Sequence, residues 1–457
     1  MLDMSRRWPQ DIGALLILDG HPILDDHGAL RMDAVRAAVA ARLGAVPRLR
    51  QVIRVPGRGR GSPFWVDAPT VDLSRHVREL RLESPAGEPE LLRAIEELRA
   101  ERLDARRPLW ELWFITGLPE KRVALFVKIH HSIADGLAAM TIVSAFLQAT
   151  PDASPAPLVA WTSASHPMPS DLVADNLRRR IAGLVRVAGT LAHPVRSIAG
   201  LLAAAPAMRE ILAERPGDPT SIDRVVGDGR TISLVRGSYR TVRRIARTAD
   251  ASVNDVLLAI TAAGLCALLL ARGEPVEGVT VRAYVPVTLR RRLRGPQQGT
   301  QIAQMVIPLS LSDASPMQRL RRIASETRRR KARPRPSLGI AFRGRLVSKL
   351  LLKLVIAQRV NITTASIPGP RRPRYLAGAR VLEVAPVLPL VGNQPLGIGL
   401  VSYAGTVGIG IAADRDAVPD IEILAAGVRT ELAALADAAR ADWRMPAAAS
   451  AVGGRPS

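Results

Sequence analysis

The residues best suited to chemistry lie in one short stretch that follows the mainly apolar segment 126–129. The stretch reads His130-His131-Ser-Ile-Ala-Asp135-Gly136, and with only 7 histidines in 457 residues its chance frequency is about one in two thousand. An imidazole can accept a proton from an alcohol and return it to a leaving group near neutral pH. The stretch therefore predicts a histidine general base at a strand end. Asp135 either orients the ring or fixes the loop through an arginine.

Other chemistries have weaker support in the sequence. Adjacent histidines on a strand point to opposite faces, so they would not bind one metal ion together. We find no second cluster of His, Cys or carboxylates with metal-ligand spacing and no Gly-x-Ser-x-Gly motif for a nucleophilic serine. We expect neither a metal site nor a serine nucleophile. For either histidine alone, a hydrogen-bonded core residue is the competing interpretation.

The elements that must position this stretch mix helices and strands. Apolar residues recur at helical spacing in 28–43, 91–103, 253–271, 317–330 and 419–439. Short β-branched or apolar runs predict strands at 51–55, 111–116, 122–129, 279–287, 302–311, 360–366, 396–403 and 407–412. The chain is therefore expected to be α/β or α+β.

A boundary between two bodies of structure is expected in the Pro-, Ala- and Ser-rich segment 151–169. Segment 176–191, which follows it, predicts a basic amphipathic helix, and 343–359 repeats the pattern. Such a helix suits either a membrane surface or packing on its own domain, and both interpretations stay open. The arginine-rich run 319–335 predicts a solvated helix face or contact with phosphate or anionic lipid.

Composition limits the possible partners. There are 64 Lys plus Arg against 41 Asp plus Glu, a formal charge of +23, but aromatic residues make up only 3% of the chain. Without zinc or helix-turn-helix spacing we expect no nucleic-acid binding, and an anionic membrane or a phosphorylated ligand fits the charge better. The single cysteine, Cys266, allows no internal disulfide. The apolar run 256–271 is shorter than the about 20 residues of a membrane span, so we predict a buried helix there.

The His130 to Gly136 motif resembles that of the bacterial wax ester synthase and acyl-CoA:diacylglycerol acyltransferase family, within the CoA-dependent acyltransferase superfamily. Condensation domains of peptide synthetases share the motif itself, so its companions matter more. Two of them, Pro108-Leu109-Trp110 and Asn254-Asp255, are distinctive of the family. Further matches are 47–51, 64–66, 72–76, 103–104 with Arg107 and Glu111, 285–290, 402–405, Asp414 and 419–420.

The resemblance implies an α/β fold of two chloramphenicol-acetyltransferase-like domains, each a mixed β-sheet with packed helices, with the active site at their interface. We predict an N-terminal domain over 1–150 that carries the motif, a linker with the basic amphipathic segment over 151–222, and a C-terminal domain over 223–445. Residues 446–457 are predicted to be a disordered tail. Access from two sides is implied, for acyl-CoA and for an apolar alcohol.

The resemblance also implies residue roles. His131 would be the general base beside His130, and Asp135 would serve geometry with Arg50 or Arg290 as its partner. The Gly136 amide and the Asn254 side chain are candidate oxyanion donors, although Gly136 can be a turn residue and Asn254 a helix N-cap. We take Pro108-Leu109-Trp110 as packing that positions the domain.

The implied reaction moves a long-chain acyl group from acyl-CoA, a co-substrate, to diacylglycerol or a long-chain alcohol. No bound cofactor and no acyl-enzyme are implied. The expected location is cytoplasmic, peripheral at the inner membrane face or at lipid inclusions, with an anionic membrane or inclusion surface as partner.

Two positions depart from the family pattern, because Thr300 and Ser366 stand where asparagine is usual. A non-catalytic lipid-binding or inclusion-coating paralogue is therefore the alternative to an enzyme. A condensation-type amide synthase is a further alternative.

Overall fold

The structure of the chain is a computed structural model. It describes residues 10–57, 61, 63–83, 86–134, 136–152, 168–192, 216–288, 302–312, 315–332 and 360–443. The predicted helix 343–359 and the predicted tail 446–457 lie outside the described residues.

The first sheet is mixed and has six strands in the order β11-β12-β1-β6-β5-β4. Its strands are β1 Asp11–Asp19, β4 Val77–Arg81, β5 Trp110–Thr116, β6 Arg122–His130, β11 Tyr375–Leu376 and β12 Ala379–Val387. Only β4 and β5 pair in parallel; the other neighbours are antiparallel. A separate two-stranded ribbon pairs β2 Gln51–Arg54 with β3 Phe64–Asp67.

Both faces of this sheet are buried, which is why its two central strands read as continuous apolar runs rather than as alternating ones. Helices α1 Met32–Leu43 and α4 Gly136–Phe146 cover one face. The other face packs on α3 Glu88–Ala100, which also contacts the second sheet. A short helix, α2 Leu73–His76, precedes β4 and has Asp72 as its N-cap.

The second sheet also has six strands, in the order β7-β14-β13-β10-β8-β9. These are β7 Arg230–Ser238, β8 Thr280–Thr288, β9 Ile302–Ser310, β10 Val360–Pro368, β13 Leu396–Tyr403 and β14 Thr406–Asp414. Strand β10 runs parallel to β8 and β13, and the remaining pairs are antiparallel. One face carries α6 Tyr239–Thr248, α7 Val253–Ala271, α8 Pro316–Ala332 and α9 Ile421–Trp443. Helix α5 Pro169–Ala192 lies between α4 and β7 in sequence.

Helix α7 is the core helix of the second half. It is long and apolar enough to cross a membrane, but 67% of its most apolar window is buried inside the protein. The helix begins with a capping box between Ser252 and Asp255, which satisfies two backbone amides. The prediction of a buried helix here is confirmed.

The two sheets are joined by a strand exchange that the linear domain prediction does not contain. Strand β12 lies within the range 223–445, yet it pairs with β1 of the first sheet, with Gly13 opposite Val387. It also crosses the open face of the second sheet. A Cβ at Gly408 or Gly410 would overlap the carbonyl oxygens of Val384 and Pro386, so only glycine permits this approach. The first sheet is therefore completed by the second half of the chain, whereas the predicted boundaries treat the two halves as separate.

Candidate active site

The end of β6 presents the two histidines on a fixed backbone. The His130 amide donates to the carbonyl of Leu109 at 3.0 Å, and the His131 amide donates to the carbonyl of Gln10 at 2.9 Å. The Ile133 amide then donates to the His130 carbonyl at 2.9 Å, which turns the chain out of the strand. The backbone of the motif is thus held from both neighbouring strands, because Leu109 precedes β5 and Gln10 precedes β1.

His130 has a buried ring that stays neutral near physiological pH. Its Nδ1 accepts the Ser132 amide at 3.1 Å and lies 2.8 Å from Ser132 Oγ, which leaves the proton on Nε2. Burial, aided by the neighbouring His131, lowers the pKa of His130 to about 4. A ring that is buried and neutral suits His130 to positioning the loop rather than to carrying protons.

His131 differs from its neighbour in exposure. It follows the last residue of β6, and its side chain is half-buried. The ring is therefore not sealed in an apolar pocket. A sealed ring would be excluded as the general base. The hydrogen bond from the His131 amide to the Gln10 carbonyl fixes the backbone position from which the ring extends. Preorganised geometry of this kind is what a general base requires.

A buried ion pair beside the histidines was missed by the sequence reasoning. Asp11 lies directly opposite His130 in the β1–β6 register, and its carboxylate is 3.9 Å from Lys128 Nζ. Lys128 is 1% exposed and also donates to the carbonyl oxygens of Leu98, at 2.9 Å, and Glu101 at the end of α3. Burial raises the pKa of Asp11. The sequence feature that could have predicted this ion pair is an acidic residue, Asp11, at the start of the mainly apolar strand β1.

The motif at 108–110 acts through packing, as predicted. Trp110 is 1% exposed, and its Nε1 donates to the Leu49 carbonyl at 2.6 Å. The ring of His76 stacks on it with centroids 4.4 Å apart. Because the Leu109 carbonyl accepts the His130 amide, this motif supports the reacting end of β6 directly.

Gly136 lies where the first half meets the second sheet. It begins α4, and a Cβ at this position would come within 3.2 Å of Ile367 Cδ1 in β10. The amides at a helix start have no partner inside the helix, so the Gly136 amide has the right character for an oxyanion donor. Ser366, the residue in place of the usual asparagine, precedes Ile367 and is half-buried. Ser366, which departs from the family pattern, is therefore adjacent in sequence to Ile367, the residue that lies close to Gly136 of the motif.

The remaining predicted residues are placed as follows. Asn254 lies in the first turn of α7 and is half-buried; the N-cap interpretation of it is wrong, because Ser252 occupies that position. Arg50 donates to the Gly44 carbonyl at 3.1 Å. Asp135, Arg290 and Thr300 lie outside the described residues. Within the described ranges, no group of three or more His, Cys, Asp or Glu could hold a metal ion.

An apolar cavity lies between the two sheets on the same face of β1 as Asp11. It is lined by Leu15, Ile17, Leu234 and Ala385, with Arg236 and Glu383 forming an ion pair at 2.7 Å among its lining residues. Along a strand of about 3.4 Å per residue, Leu15 is roughly 14 Å from Asp11. Because Asp11 is paired with His130, the cavity lies on the face of the first sheet to which His130 belongs.

Comparisons with known proteins agree with this architecture. Residues 4–257 match the wax ester synthase/diacylglycerol acyltransferase catalytic domain, and residues 298–436 match the WS/DGAT C-terminal domain. A Mycobacterium tuberculosis (strain ATCC 25618 / H37Rv) protein named a probable diacylglycerol O-acyltransferase is 31% identical over 453 residues, covering 95% of this chain and 92% of that protein.

Solved structures show the same fold. The wax ester synthase/diacylglycerol acyltransferase from Marinobacter aquaeolei VT8 superposes with a TM-score of 0.67 at 22% identity, covering 96% of this chain and 97% of that one. The first condensation domain of the CDA synthetase gives 0.58 at 18% identity, covering 96% and 93%. The predicted α/β fold class is confirmed. On these matches the chain belongs to the wax ester synthase/diacylglycerol acyltransferase family and is an acyltransferase.

Proposed function

We propose that the protein transfers a long-chain acyl group from acyl-CoA to the hydroxyl of diacylglycerol or of a long-chain alcohol, with His131 as the general base. The observation that carries this proposal is the difference between the two histidines. His131 is half-buried on a backbone fixed by Gln10, whereas His130 is buried and bound to Ser132. The names of the relatives supply the two acceptor classes.

The reaction follows from general base chemistry. His131 takes the proton of the acceptor hydroxyl while its oxygen bonds to the thioester carbonyl carbon. The carbon–sulfur bond then breaks, and His131 returns the proton to the departing CoA thiolate. No acyl-enzyme forms, and acyl-CoA is a co-substrate rather than a bound cofactor.

Other groups support this step. The Gly136 amide, at the start of α4, and the Asn254 side chain are the proposed donors to the tetrahedral oxyanion. The role we propose for Asp135 is to fix the loop that carries the histidines. Both substrates are lipids, so we place the enzyme at the inner membrane face or at lipid inclusions.

The experiment is an acceptor panel with labelled palmitoyl-CoA and either dipalmitoylglycerol or hexadecanol. Wild-type protein is expected to form labelled triacylglycerol, wax ester or both. His131→Ala is expected to reduce turnover by about 10²- to 10⁴-fold. His21→Ala, which alters an exposed histidine after β1, is the matched control and should keep wild-type turnover. Absence of ester product from wild-type protein over the whole panel would favour the lipid-binding paralogue instead.

A further inference from the structure

Helix α5 carries its apolar side chains on the outside of the protein. Val173, Leu177, Ile181 and Val185 are 48%, 57%, 51% and 65% exposed, and Met168 just before the helix is 65% exposed. No other helix in the described part of the chain has more than one large apolar side chain this exposed. The predicted amphipathic helix is therefore present, and its apolar stripe faces away from the body of the protein.

The orientation of α5 is the reverse of what core packing produces. At about 100° per residue, the four stripe residues span an arc of about 120°. The partly buried residues Leu172, Asp175, Asn176 and Gly183 fall on the opposite arc. Asn176 also lies against Gly61, where a Cβ would be 3.6 Å from the Asn176 Cβ. The side opposite the stripe is thus largely polar and only partly covered, since Arg179 on it is 71% exposed. An amphipathic helix of a globular core buries its apolar side instead.

Positive charge borders the stripe on both sides. On the same helical projection, Arg178 and Arg180 each fall about 20° outside one edge of the stripe. Both are exposed. Arg179 is on the opposite side, where its Nε is 2.7 Å from the Asp175 carboxylate. The two arginines beside the stripe would meet the headgroups of a lipid surface into which the stripe is inserted, and the third is engaged within the helix.

We infer that α5 docks the enzyme on an anionic lipid surface, with Val173, Leu177, Ile181 and Val185 in the acyl region and Arg178 and Arg180 at the headgroups. The flanking charge, together with the net charge of +23, selects an anionic surface over a neutral one. This inference names the partner of the proposed function and rests on it in one respect, that the acceptor reaches the site from a lipid phase.

The test is flotation of the full chain with vesicles of phosphatidylcholine mixed with phosphatidylglycerol, and with vesicles of phosphatidylcholine alone. Wild-type protein is expected to float with the anionic vesicles. Replacing three stripe residues, Leu177→Gln, Ile181→Gln and Val185→Gln together, should reduce the bound fraction at least about tenfold, since each loses its apolar contact with lipid. The double variant Arg178→Gln, Arg180→Gln should have a lower bound fraction at low salt, by about fivefold for each arginine. Arg179→Gln, on the opposite side, is the matched control and should bind as wild type.

Two outcomes would overturn the inference. One is equal flotation of the triple variant and wild-type protein. The other is a wild-type dimer in light scattering that the triple variant converts to a monomer, because the stripe would then be a contact between copies. Turnover of a short-chain acyl-CoA with a short, water-soluble alcohol separates docking from catalysis. The triple variant should match wild type in that assay. The proposed function is tested separately by the panel with palmitoyl-CoA, where absence of ester product from wild-type protein would contradict it without affecting the flotation result.

Discussion

Each sheet contains a buried ion pair that joins two neighbouring strands, but the two pairs are built differently. In the second sheet, the Asp414 carboxylate lies 3.7 Å from Arg230 and accepts the amides of Gly227 at 2.7 Å and Ala417 at 3.0 Å. In the first sheet, the nearest cation to the Asp11 carboxylate is Lys128, at 3.9 Å. The pKa of Asp11 is raised, mainly by burial.

The difference shows how one arrangement of charges serves two purposes. The Asp414 carboxylate ties the turn after β14 to the segment before β7, so it stabilises the fold. Asp11 lies opposite His130 at the reacting end of β6, where its partner Lys128 is mainly bound to the end of α3. We therefore expect the Asp414–Arg230 pair to matter for the stability of the fold. The Asp11–Lys128 pair should matter for the local environment of the histidines.

The largest effect on stability is expected for Asp414→Ala. It leaves Arg230 buried without its carboxylate and removes the hydrogen bonds from the three amides of Gly227, Asp416 and Ala417. The free energy of unfolding should therefore fall by about 3 to 5 kcal/mol. Chemical denaturation measures this. Asp416→Ala, an exposed residue of the same turn, is the control and should change it by less than about 0.5 kcal/mol. Equal stability of the two variants would contradict the comparison.

His130→Gln should alter the acid stability of the protein. Because the pKa of His130 is about 4 in the folded state and about 6.5 when unfolded, only the unfolded chain gains a proton between these values. The stability of wild type should therefore fall as the pH drops from about 6.5 to 4, by on the order of 1 to 3 kcal/mol from this residue. The glutamine variant should lack this component, and His21→Gln should retain it. An unchanged pH slope in His130→Gln would mean that the ring is charged in the fold.

Asp11→Asn should have the smallest effect. The raised pKa of Asp11 means that its ionised form is disfavoured by folding, so ionisation lowers stability as the pH rises through the folded-state pKa. A neutral amide avoids this cost, and the change in unfolding free energy at pH 7 should be within about 1 kcal/mol. A loss as large as that of Asp414→Ala would show that the two pairs are equivalent after all.

The sequence predicted the reacting end of β6 because histidine, a scarce residue type here, follows a mainly apolar segment. It predicted α7 because the segment 256–271 is a long apolar run. It did not predict that Gln10 and Leu109 hold the backbone of the two histidines, since both act through backbone carbonyls, which any residue type provides. The pairing of Gly13 with Val387 joins positions far apart in sequence, and local periodicity carries no information on such contacts. The orientation of α5 was equally inaccessible, because an apolar stripe has the same spacing whether it faces the core or a membrane.

The most direct test of the central claim is chemical rescue of His131→Ala by added imidazole. The account predicts that the variant loses about 10²- to 10⁴-fold in acyl transfer to hexadecanol while its unfolding free energy is maintained. Imidazole should then restore part of the lost rate, and substituted imidazoles of higher pKa should restore more. Wild-type turnover by His131→Ala without added imidazole would contradict the assignment of this ring as the base.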